Sequence, residues 1–320
     1  MARTESTSVV VIALIGNLCI TASKFGAAVL TGSAAMASEG VHSLADTTNE
    51  LLLLYGLHRS NAPPDRRHPF GHGREAYFWS FIVALLILIV GASVSFYQGA
   101  SRLKSPHPLT HMTAIYVVLA VSFVFEGISW WSALRRIRKT KGALGYYEAF
   151  RVSKDPGVFT VLLEDSAALL GLIAALAGTA LTHATGRHEF DAGASIVIAL
   201  LLCATSFLLA RETKALLIGE PARPELQRAI LTIAGREECI VHTNGVVTVQ
   251  LGPDQVFAGL STEFRDSLTT VEIEDYVERV EAAIREHHPE VVAMYERLAA
   301  SPHGGAEARS ASAKQATQTV

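Results

Sequence analysis

Residues 77–100 read YFWSFIVALLILIVGASVSFYQGA, a stretch of 24 residues without a charged side chain. A helix rises about 1.5 Å per residue, so about 20 apolar residues cross the roughly 30 Å hydrocarbon layer of a bilayer. The chain has six long apolar windows, and together they hold only 8 of the 57 charged residues. The sequence therefore predicts six transmembrane helices. The other five windows are 8–31, 34–57, 111–134, 156–183 and 190–210.

This distribution of charge excludes several classes of protein. An apolar share of 50% is ordinary for a soluble chain, but its concentration in long uncharged windows is not. The three cysteines show no CxxC spacing, so neither a disulfide framework nor a thiolate zinc site is indicated. We therefore expect a multi-pass membrane protein in the lipid bilayer that is not an enzyme, binds no nucleic acid and uses no organic cofactor.

Basic residues in the short loops predict the orientation of the chain. Segments 58–76 and 135–155 contain eleven Arg and Lys residues, whereas the three other loops contain three. Because basic loops remain on the cytoplasmic side, we expect both termini in the cytoplasm. Only about seven residues precede the first window, which is short for a mitochondrial presequence, and Arg outnumbers Lys by 20 to 7. These features favour a cell inner (plasma) membrane.

The composition changes after the sixth window, at Gly219-Glu220-Pro221. We predict a transmembrane domain over 1–218, a small cytoplasmic α+β domain of αββα-like order over 219–300, and a disordered tail over 301–320. The predicted elements of the small domain are a helix at 224–234, strands at 245–251 and 256–264, a helix at 269–288 and a last strand at 291–298.

Seven of the eight charges inside the windows are acidic, and Lys24 is the only basic one. An ionisable group at the bilayer centre costs at least about 2.5–3.5 kcal/mol, so such groups line a cavity or an ion path by default. A surplus of buried carboxylates therefore indicates a cationic partner. The acidic residues are Glu39, Asp46, Glu50, Glu126, Glu164, Asp165 and Asp191.

The second window carries Glu39, His42, Asp46 and Asn49, which are three or four residues apart and so share one helix face. His42 and Asp46 place an imidazole and a carboxylate one turn apart, a pair that can bind one metal ion from a single helix. The alternative is a His–Asp hydrogen bond that holds two helices together. Further carboxylates at a similar depth favour metal binding.

The fifth window supplies carboxylates at that depth. Asp165 lies nine residues beyond Pro156, or roughly 14 Å into the layer. Adjacent residues of a helix point about 100° apart, so Glu164 and Asp165 cannot both aim at one point. Glu126 lies in the middle of the fourth window, where it either joins the site or is a protonated side chain hydrogen-bonded to a neighbouring helix.

The loop between the second and third windows reads DRRHPFGHGR over residues 65–74. Asp65, His68 and His72 offer one oxygen and two nitrogens, a ligand set that zinc accepts, and the Pro and Gly residues allow a tight turn. The alternative is a pair of exposed histidines without a ligand role. The spacing thus indicates a possible second metal site.

Together these motifs resemble the cation diffusion facilitator family of divalent metal/proton antiporters, over roughly residues 8–300. Within that family they look closest to the zinc transporter nine subgroup. The resemblance rests on the His42-x-x-x-Asp46 pair, the HPFGHG loop at 68–73 and the Leu-Glu-Asp motif at 163–165. It implies efflux of the ion by alternating access. It also implies exchange of the ion for protons, because binding a metal expels protons from its ligands.

The resemblance also implies which residues bind the ion. A transport site between the second and fifth helices is matched by His42, Asp46 and Asp165. The family's usual fifth-helix His or Asp is replaced here by Val161, for which Glu164 compensates, with Glu39 or Glu126 as further ligands or proton carriers. The loop residues match a second metal site of the family.

One nitrogen and several oxygens make a harder ligand set than two His and two Asp. Zinc remains the first expectation, with manganese, iron or cobalt as alternatives.

The family's C-terminal domain implies a homodimer. Here we expect that domain to bind little or no metal, because the strand at 258–264 has no histidine. The replacement at Val161 also leaves open a non-transporting metal sensor or partner subunit. A membrane hydrolase with His42 as base has weak support, because no Ser-His-Asp set or HExxH motif is present.

Overall fold

The computed structural model describes residues 2–105, 108–141, 145, 154, 156–236 and 239–298. The tail predicted at 301–320 lies outside the described residues. The chain divides into two compact units, of which the first comprises Met1–Ala62 and Arg74–Leu217. The second comprises Pro63–Gly73 and the chain from Ile218 onwards. The loop between the second and third predicted spans therefore belongs to the C-terminal unit, which the sequence does not predict.

The first unit consists of long helices. A π-helical turn, Ile87–Ala92, joins α3 and α4 into one continuous helix, Glu75–Lys104. The α-helices are α1 (Ala2–Thr31), α2 (Ala34–Ser60), α3 (Glu75–Leu86), α4 (Ser93–Lys104), α5 (Met112–Thr140), α6 (Pro156–Thr185) and α7 (Glu189–Ile218).

Four helices of the described residues are long and apolar enough to cross a membrane: Glu75–Lys104, Met112–Arg138, Thr160–Thr185 and Glu189–Ile218. The predicted long helices and the small C-terminal sheet are therefore present, and four of the six predicted spans have the length and apolar composition of a membrane crossing. α1 and α2 contain 30 and 27 residues, so each could reach across a bilayer. Their crossing remains a prediction, because neither is among the four helices that meet both the length and the composition of a span in the described residues.

The N-terminus of α2 is capped by two side chains. Ser33 Oγ accepts a hydrogen bond from the Met36 N–H over 3.1 Å and donates one to Asp191 Oδ1 over 2.5 Å. The other carboxylate oxygen of Asp191, which belongs to α7, accepts from the Ala34 N–H at 2.6 Å. A carboxylate at this position satisfies free amide groups and complements the helix dipole. Asp191, one of the acidic residues in the predicted spans, is thus a helix cap.

Small residues bring the helices close together. A methyl group added at Gly99 of α4 would lie 2.6 Å from Ile196 Cγ1, and one at Gly178 of α6 would lie 2.6 Å from Ala194 Cβ. Both neighbours belong to α7, which also donates a hydrogen bond from Ser195 Oγ to the Ser95 carbonyl over 2.8 Å. Close backbone approach of this kind is typical of helix packing in membranes.

The second unit contains a three-stranded sheet in the order β1-β2-β3, with β1 and β2 antiparallel and β2 and β3 parallel. Two helices pack their apolar faces on it through Ile230, Tyr276 and Ile284, all buried. β1 begins five residues before its predicted start, and the other elements agree with prediction to within about one residue. The elements are α8 (Pro224–Ala234), β1 (Ile240–Gly252), β2 (Gln255–Phe264), α9 (Thr270–His287) and β3 (Val291–Leu298).

Candidate metal site

His42 and Asp46 lie together on the polar face of α2. His42 is 1% exposed, and its Nδ1 lies 3.3 Å from Oδ1 of Asp46. Among the described residues, neither ring nitrogen of His42 nor Asp46 Oδ1 has a hydrogen bond of good geometry. Buried polar atoms almost always have partners, and the neighbour of this imidazole is the Asp46 carboxylate, 3.3 Å away. The alternative of a structural hydrogen bond between helices is not supported, because both residues belong to α2.

A second polar cluster lies one turn away on the same face of α2. The Lys24 ammonium of α1 lies 3.2 Å from Glu39 Oε2 and 3.5 Å from Glu126 Oε1, and it donates a hydrogen bond to Ser43 Oγ over 2.6 Å. Lys24 and Glu39 are fully buried, whereas 15% of the Glu126 side chain is exposed. The two carboxylates predicted as further ligands or proton carriers therefore both pair with a lysine. Glu126 is thus held by an ion pair with α1.

Glu164 and Asp165 of α6 point to different helices, in agreement with the predicted 100° separation. Glu164 is buried, and its Oε1 accepts a hydrogen bond from Asn49 Nδ2 of α2 over 2.9 Å. Asp165 Oδ2 accepts one from Ser129 Oγ of α5 over 2.7 Å. Both carboxylates lie within electrostatic range of Asp46. α6 therefore places two carboxyl groups within electrostatic range of Asp46.

The described residues contain one group of three or more metal-ligating side chains whose ligand atoms all lie within 4.8 Å of one another, and it is in the loop. Of the predicted transport site, the structure brings together His42 and Asp46. Asp165 is held on α5 by Ser129, and Glu164 is held on α2 by Asn49. Their shared role as ligands therefore stays a prediction.

The loop group consists of Asp65, His68 and His72. Nδ1 of His68 lies 3.2 Å from Asp65 Oδ1, Nε2 of His72 lies 3.3 Å from Asp65 Oδ2, and the two imidazole centroids are 4.2 Å apart. Gly71 provides the turn, with a φ of 84° that favours glycine. The spacing of this motif therefore gives a compact set of one oxygen and two nitrogen donors.

The loop is ordered by its own hydrogen bonds and by the C-terminal domain. Backbone N–H groups of His68 and Arg67 each donate to Asp65 Oδ1 over 2.7 Å, and they hold the pKa of the Asp65 carboxyl at about 2. The carboxylate is therefore ionised and available to a cation at neutral pH. The Phe70 ring packs edge-on against Phe257 of β2, with centroids 5.7 Å apart.

Three residues of the site were not assigned a role from the sequence. Lys24 is the only basic residue in the windows, and a basic group at that depth requires an acidic partner, which is the available signal. Residue spacing places Asn49 on the polar face of α2 but does not identify its partner Glu164. Ser129 carries no signal in the sequence, because serine is common in membrane helices and its partner lies 36 residues away.

Known proteins are similar to this chain in sequence. Residues 10–218 match the family model for the cation efflux transmembrane domain. The chain is 35% identical over 245 residues to the mitochondrial proton-coupled zinc antiporter SLC30A9 of Xenopus laevis, an alignment that covers 76% of the chain and 44% of the relative. The chain thus spans less than half the length of this relative.

Two further relatives come from a plant and a bacterium. The metal tolerance protein C4 of Arabidopsis thaliana is 28% identical over 277 residues, which cover 86% of the chain and 60% of that protein. The manganese efflux system protein MneP of Bacillus subtilis is 28% identical over 221 residues, which cover 69% of the chain and 71% of that protein. Zinc and manganese therefore both occur in the names of the relatives.

Proposed function

The chain belongs to the cation efflux family, and from this premise we propose that it exports a divalent metal cation in exchange for protons, with zinc as its first substrate. The observation that carries the proposal is the His42–Asp46 pair, in which a buried imidazole lies 3.3 Å from a carboxylate on the same helix. The family consists of transporters and not of enzymes, which removes the membrane hydrolase from consideration. Manganese, iron and cobalt are the alternative substrates.

Competition between metal ions and protons couples the two fluxes. A metal ion binds only the deprotonated forms of His42 and Asp46, so loading the ion releases protons and protonation releases the ion. An inward proton gradient then drives the metal out of the cytoplasm. We propose that Asp165 and Glu164 complete the set of ligands, because their carboxylates already lie within electrostatic range of Asp46.

Completion of the site requires a small rearrangement between helices. Asp165 must exchange its hydrogen bond with Ser129 for the ion, and Glu164 must do the same with Asn49. Both partners are neutral side chains, so each exchange replaces one neutral hydrogen bond by a contact with a doubly charged ion. We propose that α6 moves relative to α2 and α5 as access alternates, and that the exchange accompanies this motion.

The chemistry of the ligands determines which metal ion the site prefers. One imidazole with two or three carboxylates suits zinc, and its large share of oxygen donors also suits manganese. The proton-coupled zinc antiporter that the chain resembles, at 35% identity, favours zinc. The manganese efflux protein at 28% identity keeps manganese as the second candidate.

Flux through proteoliposomes under an imposed pH step tests the exchange. We expect zinc to move against its gradient toward the more acidic compartment, and manganese to compete less effectively, because imidazole is a better ligand for zinc. The readouts are a zinc-sensitive dye and a pH-sensitive dye inside the same vesicles. The control is the same preparation with the pH step collapsed. Metal binding without any flux would instead favour the sensor or partner subunit.

We also propose that the protein is a multi-pass protein of the cell inner (plasma) membrane with both termini in the cytoplasm, and that it forms a homodimer through its C-terminal domain. The excess of basic residues in segments 58–76 and 135–155 supports the orientation. Exposed Val241 and Val247 on the edge strand β1 support the dimer, since an apolar sheet edge is normally covered.

The loop site is proposed to bind a second ion. Replacing both Asp65 and His72 by Ala is expected to lower the number of zinc ions bound per chain by one, because two of the three ligands are lost. Equilibrium dialysis followed by elemental analysis measures this number. Arg66→Ala changes an exposed neighbour in the same loop and serves as the control. An unchanged zinc content in the double variant would contradict the loop site.

A further inference from the structure

Lys24 is an unusual residue for the interior of a cation transporter. Its side chain is fully buried, and its Nζ contacts groups on two other helices: Glu39 and Ser43 of α2, and Glu126 of α5. A lysine near a membrane surface normally extends its ammonium group toward water. Here the group is enclosed by two carboxylates and a hydroxyl, so it acts as a cation fixed inside the protein.

The lysine also neutralises charge close to the proposed metal site. Glu39 lies three residues from His42 on the same helix face, and the Lys24 charge is within electrostatic range of both His42 and Asp46. One ammonium facing two carboxylates leaves a net charge of −1, whereas the two carboxylates alone would carry −2. Without Lys24, a divalent ion would therefore find two more oxygen ligands beside His42.

Glu39 has little freedom to leave this arrangement. Its Oε1 is buried without a hydrogen-bond partner among the described residues and lies directly against Gly171 of α6, where an added methyl group would collide with it. The other carboxylate oxygen faces Lys24. The carboxylate is thus confined between the ammonium group and α6.

We propose that Lys24 holds Glu39 and Glu126 out of the coordination shell and thereby sets the metal selectivity of the site. This inference rests on the proposed transport function and specifies how its substrate is chosen. With the two glutamates paired, the shell keeps one nitrogen beside two or three carboxylates, which still suits zinc. With them released, the added carboxylate oxygens favour a harder ion such as manganese. Lys24 is therefore a positioning residue, since it acts on the ion through its carboxylate partners.

The test measures the affinities for zinc and manganese in Lys24→Met, which keeps an unbranched side chain, shorter by one atom, and removes its charge. All proteins carry Asp65→Ala and His72→Ala, so that the loop site does not contribute. Isothermal titration in detergent is expected to show that the manganese affinity relative to zinc rises about tenfold or more, as changes next to metal ligands commonly produce. Lys24→Arg keeps the charge and is expected to retain the ratio of the unsubstituted background.

Two further variants separate this role from a structural one. The triple variant Lys24→Met, Glu39→Gln and Glu126→Gln removes the freed carboxylates and is expected to return the ratio to that of the background. Thr21→Val changes a buried residue one turn from Lys24 that bonds within its own helix, and it should leave the ratio unchanged. An unchanged ratio in folded Lys24→Met, or an equal loss of both affinities, would overturn the role of Lys24.

Flux of the wild-type protein, measured in parallel, keeps the two proposals apart. Wild-type protein that binds zinc but does not transport it would contradict the transport function. A wild-type protein that transports zinc, together with an unchanged binding ratio in Lys24→Met, would contradict only the inference about selectivity. If Lys24→Met does not fold, Lys24→Met with Glu126→Gln leaves Glu39 as the single freed carboxylate and is expected to raise the manganese-to-zinc ratio. A ratio equal to that of the background in this variant would overturn the role of Lys24.

Discussion

His42→Ala is expected to reduce zinc flux into proteoliposomes by about 100-fold or more. The substitution removes the only nitrogen donor proposed for the transport site. Changes to groups that merely support metal ligands already cost roughly 10–100-fold in affinity or activity, so loss of a direct ligand should cost at least as much. The 3.3 Å contact of His42 with Asp46 lies within α2, so its loss removes no ion pair between helices.

A second histidine of α2 provides the matched control. His58 lies on the same helix but is exposed near its C-terminal end, so His58→Ala should keep the wild-type flux. Both variants are compared at equal amounts of reconstituted protein, with size-exclusion profiles to establish folding. Flux in His42→Ala within a factor of two of wild type would remove His42 from the transport site.

Asp191→Ala is expected to lower the stability of the transmembrane domain by about 1–3 kcal/mol. The carboxylate accepts hydrogen bonds from Ser33 Oγ and from the Ala34 N–H, and the substitution leaves these buried groups without an acceptor. Unfolding of the detergent-solubilised protein, followed by tryptophan fluorescence, measures the change. A weakened start of α2 should also lower zinc flux, because this helix carries His42 and Asp46.

Two variants set the scale of this effect. Asp191→Asn keeps one carbonyl oxygen as acceptor, and it is expected to lose less stability than Asp191→Ala. Glu189→Ala removes a carboxylate from the same first turn of α7 that pairs with Arg187 at the surface, where such a pair contributes about 0–1 kcal/mol. If Asp191→Ala were no more harmful than Glu189→Ala, the carboxylate would not be holding α2.

The local parts of this structure could be predicted from the sequence. The window at 77–100 lies inside the helix Glu75–Lys104, because apolar length alone marks the part of a helix that crosses a bilayer. The polar face of α2 follows from residue spacing, and the close approach of His42 and Asp46 follows with it. The divergence of Glu164 and Asp165 was predicted for the same reason, since it depends only on helix geometry.

The remaining features depend on contacts between distant segments. The partners of Lys24 are set by which faces of α1, α2 and α5 meet, and spacing within one helix gives no information about that. Asp191 was grouped with the acidic residues of a possible ion path, because its hydrogen bonds reach a helix 157 residues earlier in the chain. The placement of the loop beside the C-terminal domain likewise rests on a ring contact between Phe70 and Phe257.

The π-helical turn Ile87–Ala92 makes the third helix sensitive to its number of residues. A π-helical turn accommodates about one residue more than an α-helical turn, so it shifts the angular phase of everything that follows it by roughly 100°. In the observed phase, Ser95 and Gly99 meet α7. Removing one residue would restore a regular helix with Ser95 and Gly99 still facing α7, whereas adding one would rotate both of them away by about 100°. Insertions in this turn should thus be far less tolerated than the deletion of one residue.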